Sequence, residues 1–109
     1  MFEGFQELSD KEVYDKAIAG EKPAVVLFTK PDNPKNSDFY QVLVKFQRLY
    51  GDKVNFFWVD ASKNTSAEDL GVFDLPCVLY FRDTMELERH DYLPSEEEVE
   101  RAIKRLLRL

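Results

Sequence analysis

Three short runs of almost unbroken apolar residues occur along the chain, at residues 24–28, 54–59 and 78–81. Runs of this length without polar alternation are typical of strands that are buried on both faces of a sheet. A polar turn at residues 82–84 follows the third run. After this turn, Met85 and Leu87 alternate with glutamates, which predicts a half-exposed antiparallel strand. The pattern therefore predicts four strands, of which the last two form a hairpin.

Two capping boxes predict the first and last helices. Ser9 and Glu12 have the required spacing, and the helix that they open is expected to run to about Ala19. Ser95 and Glu98 open the last helix in the same way. Acidic residues in its first turns and basic residues in its later turns complement the helix dipole. Its apolar face consists of Val99, Ala102, Ile103, Leu106 and Leu107.

A third helix is predicted between the first two apolar runs. Apolar residues recur at helical spacing from Phe39 to Tyr50, and Gly51 follows them. Because a strand, a helix and a strand follow one another, we expect a right-handed parallel crossover. The polar stretch at residues 62–69 is expected to be a loop with a short helix.

Length and charge narrow the class of protein. The 109 residues are expected to form a single domain over residues 1–109, because charged and apolar residues are spread along the chain. The formal net charge of −6 disfavours nucleic acid and anionic lipid as partners. Neither a signal sequence nor a membrane span is recognisable, and the single cysteine fits a reducing compartment. We therefore expect a cytoplasmic protein with no membrane partner.

The order of predicted elements resembles the thioredoxin family over the whole chain. Residues 22–28 resemble the family's second strand, residues 50–54 the end of its long helix, and residues 59–64 its next strand and loop. Leu75-Pro76 matches the family's cis-proline dipeptide, and residues 81–85 match its hairpin turn without the usual glycine. The resemblance implies an α/β thioredoxin fold, with a central mixed β-sheet flanked by helices on both faces. It also implies a cis Leu75-Pro76 bond.

The paired cysteines of the family's redox site are missing. Alignment without a gap places residues 33–36, Asn-Pro-Lys-Asn, on the family's Cys-Gly-Pro-Cys. Asn33 and Asn36 thus stand where the redox cysteines are lost, and an amide supplies neither a thiolate nor a resolving thiol. The family's buried aspartate is Leu27 here, and its tryptophan before the first cysteine is Asp32. The resemblance therefore implies a redox-inactive member without catalytic residues.

The loop that replaces the redox motif has two open roles. Asn33 suits a helix N-cap and Pro34 the first helical position, with Asn36 as a surface or second cap residue. Alternatively, the loop's polar groups face a partner in the groove that thioredoxins use for substrates, where a peptide backbone pairs beside the proline without needing a thiol. Tyr92 is placed where thioredoxins carry glycine. The predicted binding groove consists of Asp32, Asn33, Pro34, Lys35, Leu75, Pro76 and Tyr92.

Cys77 and His90 are the remaining residues with candidate chemistry. Cys77 follows the predicted cis-proline and is therefore a possible reactive thiol, although single cysteines are usually packed as small hydrophobic residues. His90 has no second histidine or cysteine beside it, so we expect a solvated strand residue and no metal site. The chain also has no glycine-rich phosphate loop. We therefore expect neither a metal nor a cofactor.

Three functions are compatible with this sequence. The leading hypothesis is a redox-inactive thioredoxin-like domain that acts as a protein- or peptide-binding adaptor module through the groove beside the cis-proline. The alternatives are a lone-thiol enzyme or redox sensor that uses Cys77, for example through a mixed disulfide with glutathione, and a structural subunit that dimerises. The expected partner is a protein or peptide, and the expected state is a monomer or weak homodimer.

Overall fold

Five strands form one mixed sheet in the computed structural model, which describes residues 1–109. The strand order is β1-β3-β2-β4-β5. β1 and β2 are both parallel to β3, β4 is antiparallel to β2, and β5 is antiparallel to β4. The predicted apolar runs form the three central strands, whose side chains are almost all buried. The bounds are β1 (Gln6–Glu7), β2 (Ala24–Thr29), β3 (Asn55–Asp60), β4 (Cys77–Arg82) and β5 (Met85–His90).

Three helices connect strands, and a fourth follows β5. The first, α1, begins with an α-helical turn, Asp10–Glu12, and continues as a π-helix, Val13–Ile18. The others are α2 (Asn36–Tyr50), α3 (Ser66–Asp69) and α4 (Glu96–Leu107). None of these helices is long and apolar enough to cross a membrane.

The helices cover both faces of the sheet, as the sequence predicts. On one face, Phe39 and Leu43 of α2 and Val99 and Ile103 of α4 belong to a cluster of 16 buried apolar residues. The other face carries a cluster of 13, which includes Val13 of α1. Since each fully buried side chain of this size contributes about 1.5–3 kcal/mol, these two layers hold the sheet in place.

Capping geometry explains where α1 and α4 begin. The Glu98 amide donates to Ser95 Oγ, and the Ser95 amide donates to Glu98 Oε1, both at 3.1 Å. At α1, the Glu12 carboxylate accepts from the Ser9 amide at 3.0 Å. This hydrogen bond lowers the pKa of Glu12 to about 2, with help from Lys16. Both predicted capping positions are confirmed as helix starts.

Three features of the chain before α2 were predicted incorrectly. Asn33 is not the helix N-cap, because that position is held by Lys35. Pro34 is not in the first helical position, because α2 begins at Asn36 and residues 34–35 form a turn. Asn36 is neither a surface residue nor a cap, since it is 8% exposed and its side chain is hydrogen-bonded inside the protein. The reason is a buried threonine, Thr29, at the end of β2, for which the amide of Asn36 is the partner.

His90 is also placed differently from the prediction of a solvated strand residue. It is 4% exposed at the end of β5, and its Nδ1 lies 3.1 Å from the buried hydroxyl of Tyr80. The bulge between Tyr80 and Phe81 in the pairing of β4 with β5 accompanies this placement. A polar residue at the end of an edge strand is thus drawn inside because a tyrosine hydroxyl provides its hydrogen bond.

Candidate functional site

The loop before α2 is tied to the segment before Pro76 by one side chain. Asn33 Oδ1 accepts from the Lys35 amide at 2.9 Å, which closes the turn before α2. Asn33 Nδ2 donates to the Leu75 carbonyl at 3.3 Å. The Leu75-Pro76 bond is cis, as predicted. One asparagine therefore brings together two of the three segments that the thioredoxin resemblance assigns to the groove.

Asn36 supports this loop from beneath. The Thr29 hydroxyl donates to Asn36 Oδ1 at 2.6 Å, and Asn36 Nδ2 donates to the Lys30 carbonyl at 2.8 Å. Nδ2 also lies 3.4 Å from the Pro31 carbonyl. An amide fits here because its oxygen accepts from the Thr29 hydroxyl while its nitrogen donates to the Lys30 carbonyl. Asn36 thus has a structural role in the loop.

A cavity of about 330 Å³ lies beside Pro76, and we call it the cis-proline cavity. Four residues of the predicted groove line it: Lys35, Leu75, Pro76 and Tyr92. Asp32 and Pro34 are exposed but do not line it, and Asn33 adjoins it only through the Leu75 carbonyl. The volume lies at the lower end of the range for ligand sites in proteins.

Four further residues line the cis-proline cavity and were missed by sequence reasoning: Asp38, Phe39, Asp91 and Leu93. A signal existed for two of the missed residues. Asp38 follows Lys35 by three positions at the start of α2, so the two side chains lie on the same side of the helix. Leu93 directly follows Tyr92, so the assignment of Tyr92 to the groove could have been extended to it.

Tyr92 is held at the rim of the cavity by the start of α4. Its hydroxyl donates to Glu98, the residue that also completes the capping box. This hydrogen bond raises the pKa of Tyr92 and, together with the Ser95 amide, lowers the pKa of Glu98. The ring also meets His90 edge-on at 5.6 Å between centroids. The half-exposed ring of Tyr92 is therefore held in place by contacts within the chain.

Cys77 lies directly after Pro76 but does not line the cavity. It is 1% exposed and belongs to the apolar cluster on the α1 face of the sheet. Burial raises the pKa of its thiol to about 12. Because the thiolate is the reactive form, this environment favours the packing interpretation of Cys77 over the reactive one.

The Leu75 amide is a backbone donor without an acceptor at the centre of the site. Leu75 lies between α3 and β4, is half-buried, and lines the cavity. Its carbonyl is engaged by Asn33, whereas its amide donates to no acceptor of the chain. Most buried backbone donors in proteins are paired, so an unpaired amide of a residue that lines a cavity is available to an incoming acceptor. The site thus offers a hydrogen-bond donor and apolar contacts to a ligand. No group of three or more histidine, cysteine or acidic side chains is arranged to hold a metal ion.

Comparisons with known proteins bear on the fold alone. No protein-family model matches the sequence, and no curated protein matches it. Among solved structures, 314 chains match. The crystal structure of a designed protein has a TM-score of 0.78 at 20% identity, covering 94% of this chain and 91% of that one. The structure of a malarial protein has a TM-score of 0.69 at 25% identity, covering 79% of this chain and 98% of that one. A fold shared so widely leaves function to be argued from the site.

Proposed function

We propose that this chain is a redox-inactive, thioredoxin-like module that binds an extended segment of a partner protein in the cis-proline cavity. The sheet order, with helices on both faces, agrees with the fold that the thioredoxin resemblance implies. Asparagines occupy the two positions that carry the redox cysteines in that family, and the only thiol is buried. Binding without dithiol chemistry is the function that this combination supports best.

The observation that carries the proposal is the cis-proline cavity itself. Four residues from the three segments that the thioredoxin resemblance assigns to the groove line a single concave surface. Its apolar wall contains Leu75, Pro76 and Leu93, and Tyr92 stands at the rim. Recognition sites usually combine such an apolar wall with few polar groups that set orientation.

The state of the Leu75 peptide groups specifies how a segment would bind. A strand added beside Leu75 pairs through backbone hydrogen bonds, because that mode of recognition uses peptide groups. The free Leu75 amide donates to a carbonyl of the incoming segment. The Leu75 carbonyl already accepts from Asn33, so its second lone pair is the only one left for the segment. Side-chain contacts in the cavity must therefore contribute much of the affinity.

Selection from a random heptapeptide library on the immobilised protein tests this proposal. The dissociation constant of the strongest peptide is then measured for the wild type and two variants. Leu93→Arg places a charge in the cavity wall and should weaken binding about tenfold. Leu49→Arg is the matched control, since Leu49 is 61% exposed near the far end of α2.

Two outcomes contradict the proposal. The library yields no peptide that binds the folded protein, or the selected peptides bind the Leu93→Arg variant as tightly as the wild type. In either case the cis-proline cavity is not a peptide site. Thermal unfolding of both variants, which change only exposed side chains, verifies that the fold is retained.

A further inference from the structure

A second cavity adjoins the first on the other side of Leu75. It measures about 210 Å³, and we call it the Phe73 cavity. Its apolar wall consists of Ala61, Ala67, Val72, Phe73 and Leu75. An apolar cavity of about 150 Å³ accommodates a benzene ring, so this one has room for a leucine, methionine or phenylalanine side chain. None of its residues was assigned to the groove apart from Leu75.

Phe73 itself is the most exposed aromatic side chain near the site. It is 82% exposed, although it follows Val72, which is 4% exposed and forms the cavity floor with Ala67. Large apolar groups exposed together, with polar residues at the rim, are typical of interaction surfaces. Tyr92 and Leu93, exposed by 51% and 49%, flank the other side of the Leu75-Pro76 segment. An apolar strip therefore crosses the cis-proline from Phe73 to Leu93.

Leu75 is the wall that the two cavities share. In an extended peptide, side chains at positions i and i+2 point to the same face, about 7 Å apart. A segment that pairs with the Leu75 amide would therefore place two such side chains on either side of Leu75. The geometry is suited to one peptide that uses both cavities at once.

The charges at the cis-proline cavity favour a basic side chain on that side. Asp38 and Asp91 line it, and neither carboxylate forms an ion pair or accepts a hydrogen bond within the chain. Lys35 is the only cation among the lining residues. Asp74, which precedes Leu75 in the chain, is exposed and adds a further negative charge to this segment. An acidic segment would be repelled, whereas a lysine or arginine would complement the pair.

We propose that the Phe73 cavity is a second subsite for the same partner segment, which carries an apolar side chain there and a lysine or arginine two residues away beside Asp38 and Asp91. This inference rests on the proposed peptide-binding function and names the chemistry of the peptide. The apolar side chain anchors the segment, and the basic side chain sets its direction across Leu75.

The sequences from the heptapeptide selection test the inference directly. Peptides whose binding is weakened by Leu93→Arg should share a leucine, isoleucine, methionine or phenylalanine and a lysine or arginine at a spacing of two. Groove-dependent peptides without this pair overturn the inference and leave the proposed function standing. A library without any groove-dependent peptide overturns both.

Substitutions in each subsite then separate the two contacts for one consensus peptide. Phe73→Ser should weaken binding about tenfold. Its control is Tyr14→Ser, which changes another exposed aromatic residue (62% exposed) and should leave binding unchanged. The double variant Asp38→Asn/Asp91→Asn should weaken binding about fivefold and reduce its dependence on salt. The control for this variant, Glu21→Gln/Asp52→Asn, removes two exposed carboxylates elsewhere.

Self-association is the competing explanation of the apolar strip. Sedimentation measurements on the wild type and on Phe73→Ser distinguish the two. A monomer at the concentrations used for binding supports the inference. A dimer that dissociates in the Phe73→Ser variant would assign the strip to a second copy of this chain and overturn it.

Discussion

Asn36→Ala should lower the free energy of unfolding by about 2 kcal/mol, because one buried and one partly buried hydrogen bond lose their shared partner. The fully buried Thr29 hydroxyl donates to Asn36 Oδ1 at 2.6 Å, and Nδ2 donates to the Lys30 carbonyl at 2.8 Å. Each such bond contributes about 1 kcal/mol net, and a buried group left unpaired costs about 1–3 kcal/mol. The Thr29 hydroxyl also lies 3.5 Å from the Lys30 carbonyl, so it can turn to that oxygen and limit the loss.

Asn36→Asp gives a sharper test because its effect depends on pH. The new carboxylate still accepts from Thr29, but its other oxygen faces the carbonyls of Lys30 and Pro31. Burial and these carbonyls should raise the pKa of the carboxyl in the folded protein above its value of about 3.9 in the unfolded chain. Stability is then lost as the pH rises, because the unfolded chain ionises first. A pKa that is two units higher in the folded protein than in the unfolded chain lowers the free energy of unfolding by about 2.7 kcal/mol once both states are ionised.

Urea unfolding of both variants at pH 4 and pH 7, each compared with the wild type at the same pH, measures these effects. Gln41→Glu is the control, since Gln41 lies on the exposed side of α2, and it should change stability by less than about 0.5 kcal/mol at either pH. An Asn36→Asp deficit that is equal at both pH values, or an Asn36→Ala variant as stable as the wild type, would refute the reasoning.

Three further predictions follow from buried or substituted polar groups. Cys77 should react slowly with a small disulfide reagent in the native protein and rapidly in urea, because burial raises its thiol pKa; fast native labelling would contradict its packing. Burial lowers the pKa of His90. As the pH falls through about 6.5, His90 therefore takes up a proton in the unfolded chain but not in the folded protein. Stability should therefore drop between pH 7 and pH 5, and His90→Phe should flatten this drop; an unchanged slope contradicts the assignment. The wild type should not catalyse dithiol-driven reduction of a protein disulfide. The double variant Asn33→Cys/Asn36→Cys should form a disulfide but turn over slowly, because Leu27 cannot accept a proton. A folded double variant that stays reduced would show that the loop is misaligned.

The central strands were predictable from the sequence because their side chains are buried on both faces. Residues 24–28, 54–59 and 78–81 lie within or overlap β2, β3 and β4, and the pattern of Met85 and Leu87 anticipated β5. β1 was not predicted. It has only two residues, both exposed, and it pairs with β3 through its backbone, so no apolar pattern marks it.

The first helix shows a limit of periodicity. Its start and its end agree with the sequence, but Val13–Ile18 is a π-helix. The Ala19 amide bonds the Tyr14 carbonyl at 2.8 Å, a separation of five residues. Apolar residues at Val13 and Ala17 satisfy either kind of helix, so the pattern alone cannot distinguish them.

The site was predictable only where the thioredoxin resemblance supplied a register. That register placed Lys35, Leu75, Pro76 and Tyr92 together, whereas the Phe73 cavity has no counterpart among the motifs used. Asn36 and His90 were placed wrongly for a related reason. Whether a polar side chain is buried depends on partners such as Thr29 and Tyr80, and these partners become neighbours only through the pairing of strands and helices.

Amide chemical shifts of the 15N-labelled protein, titrated with a selected heptapeptide, test the central claim most directly. We expect the largest changes at Lys35, Leu75, Tyr92 and Leu93, with a downfield shift of the Leu75 amide proton as this donor gains an acceptor. Changes concentrated on β5 or on the exposed side of α2, with the Leu75 amide unmoved at saturation, would contradict binding in the cis-proline cavity.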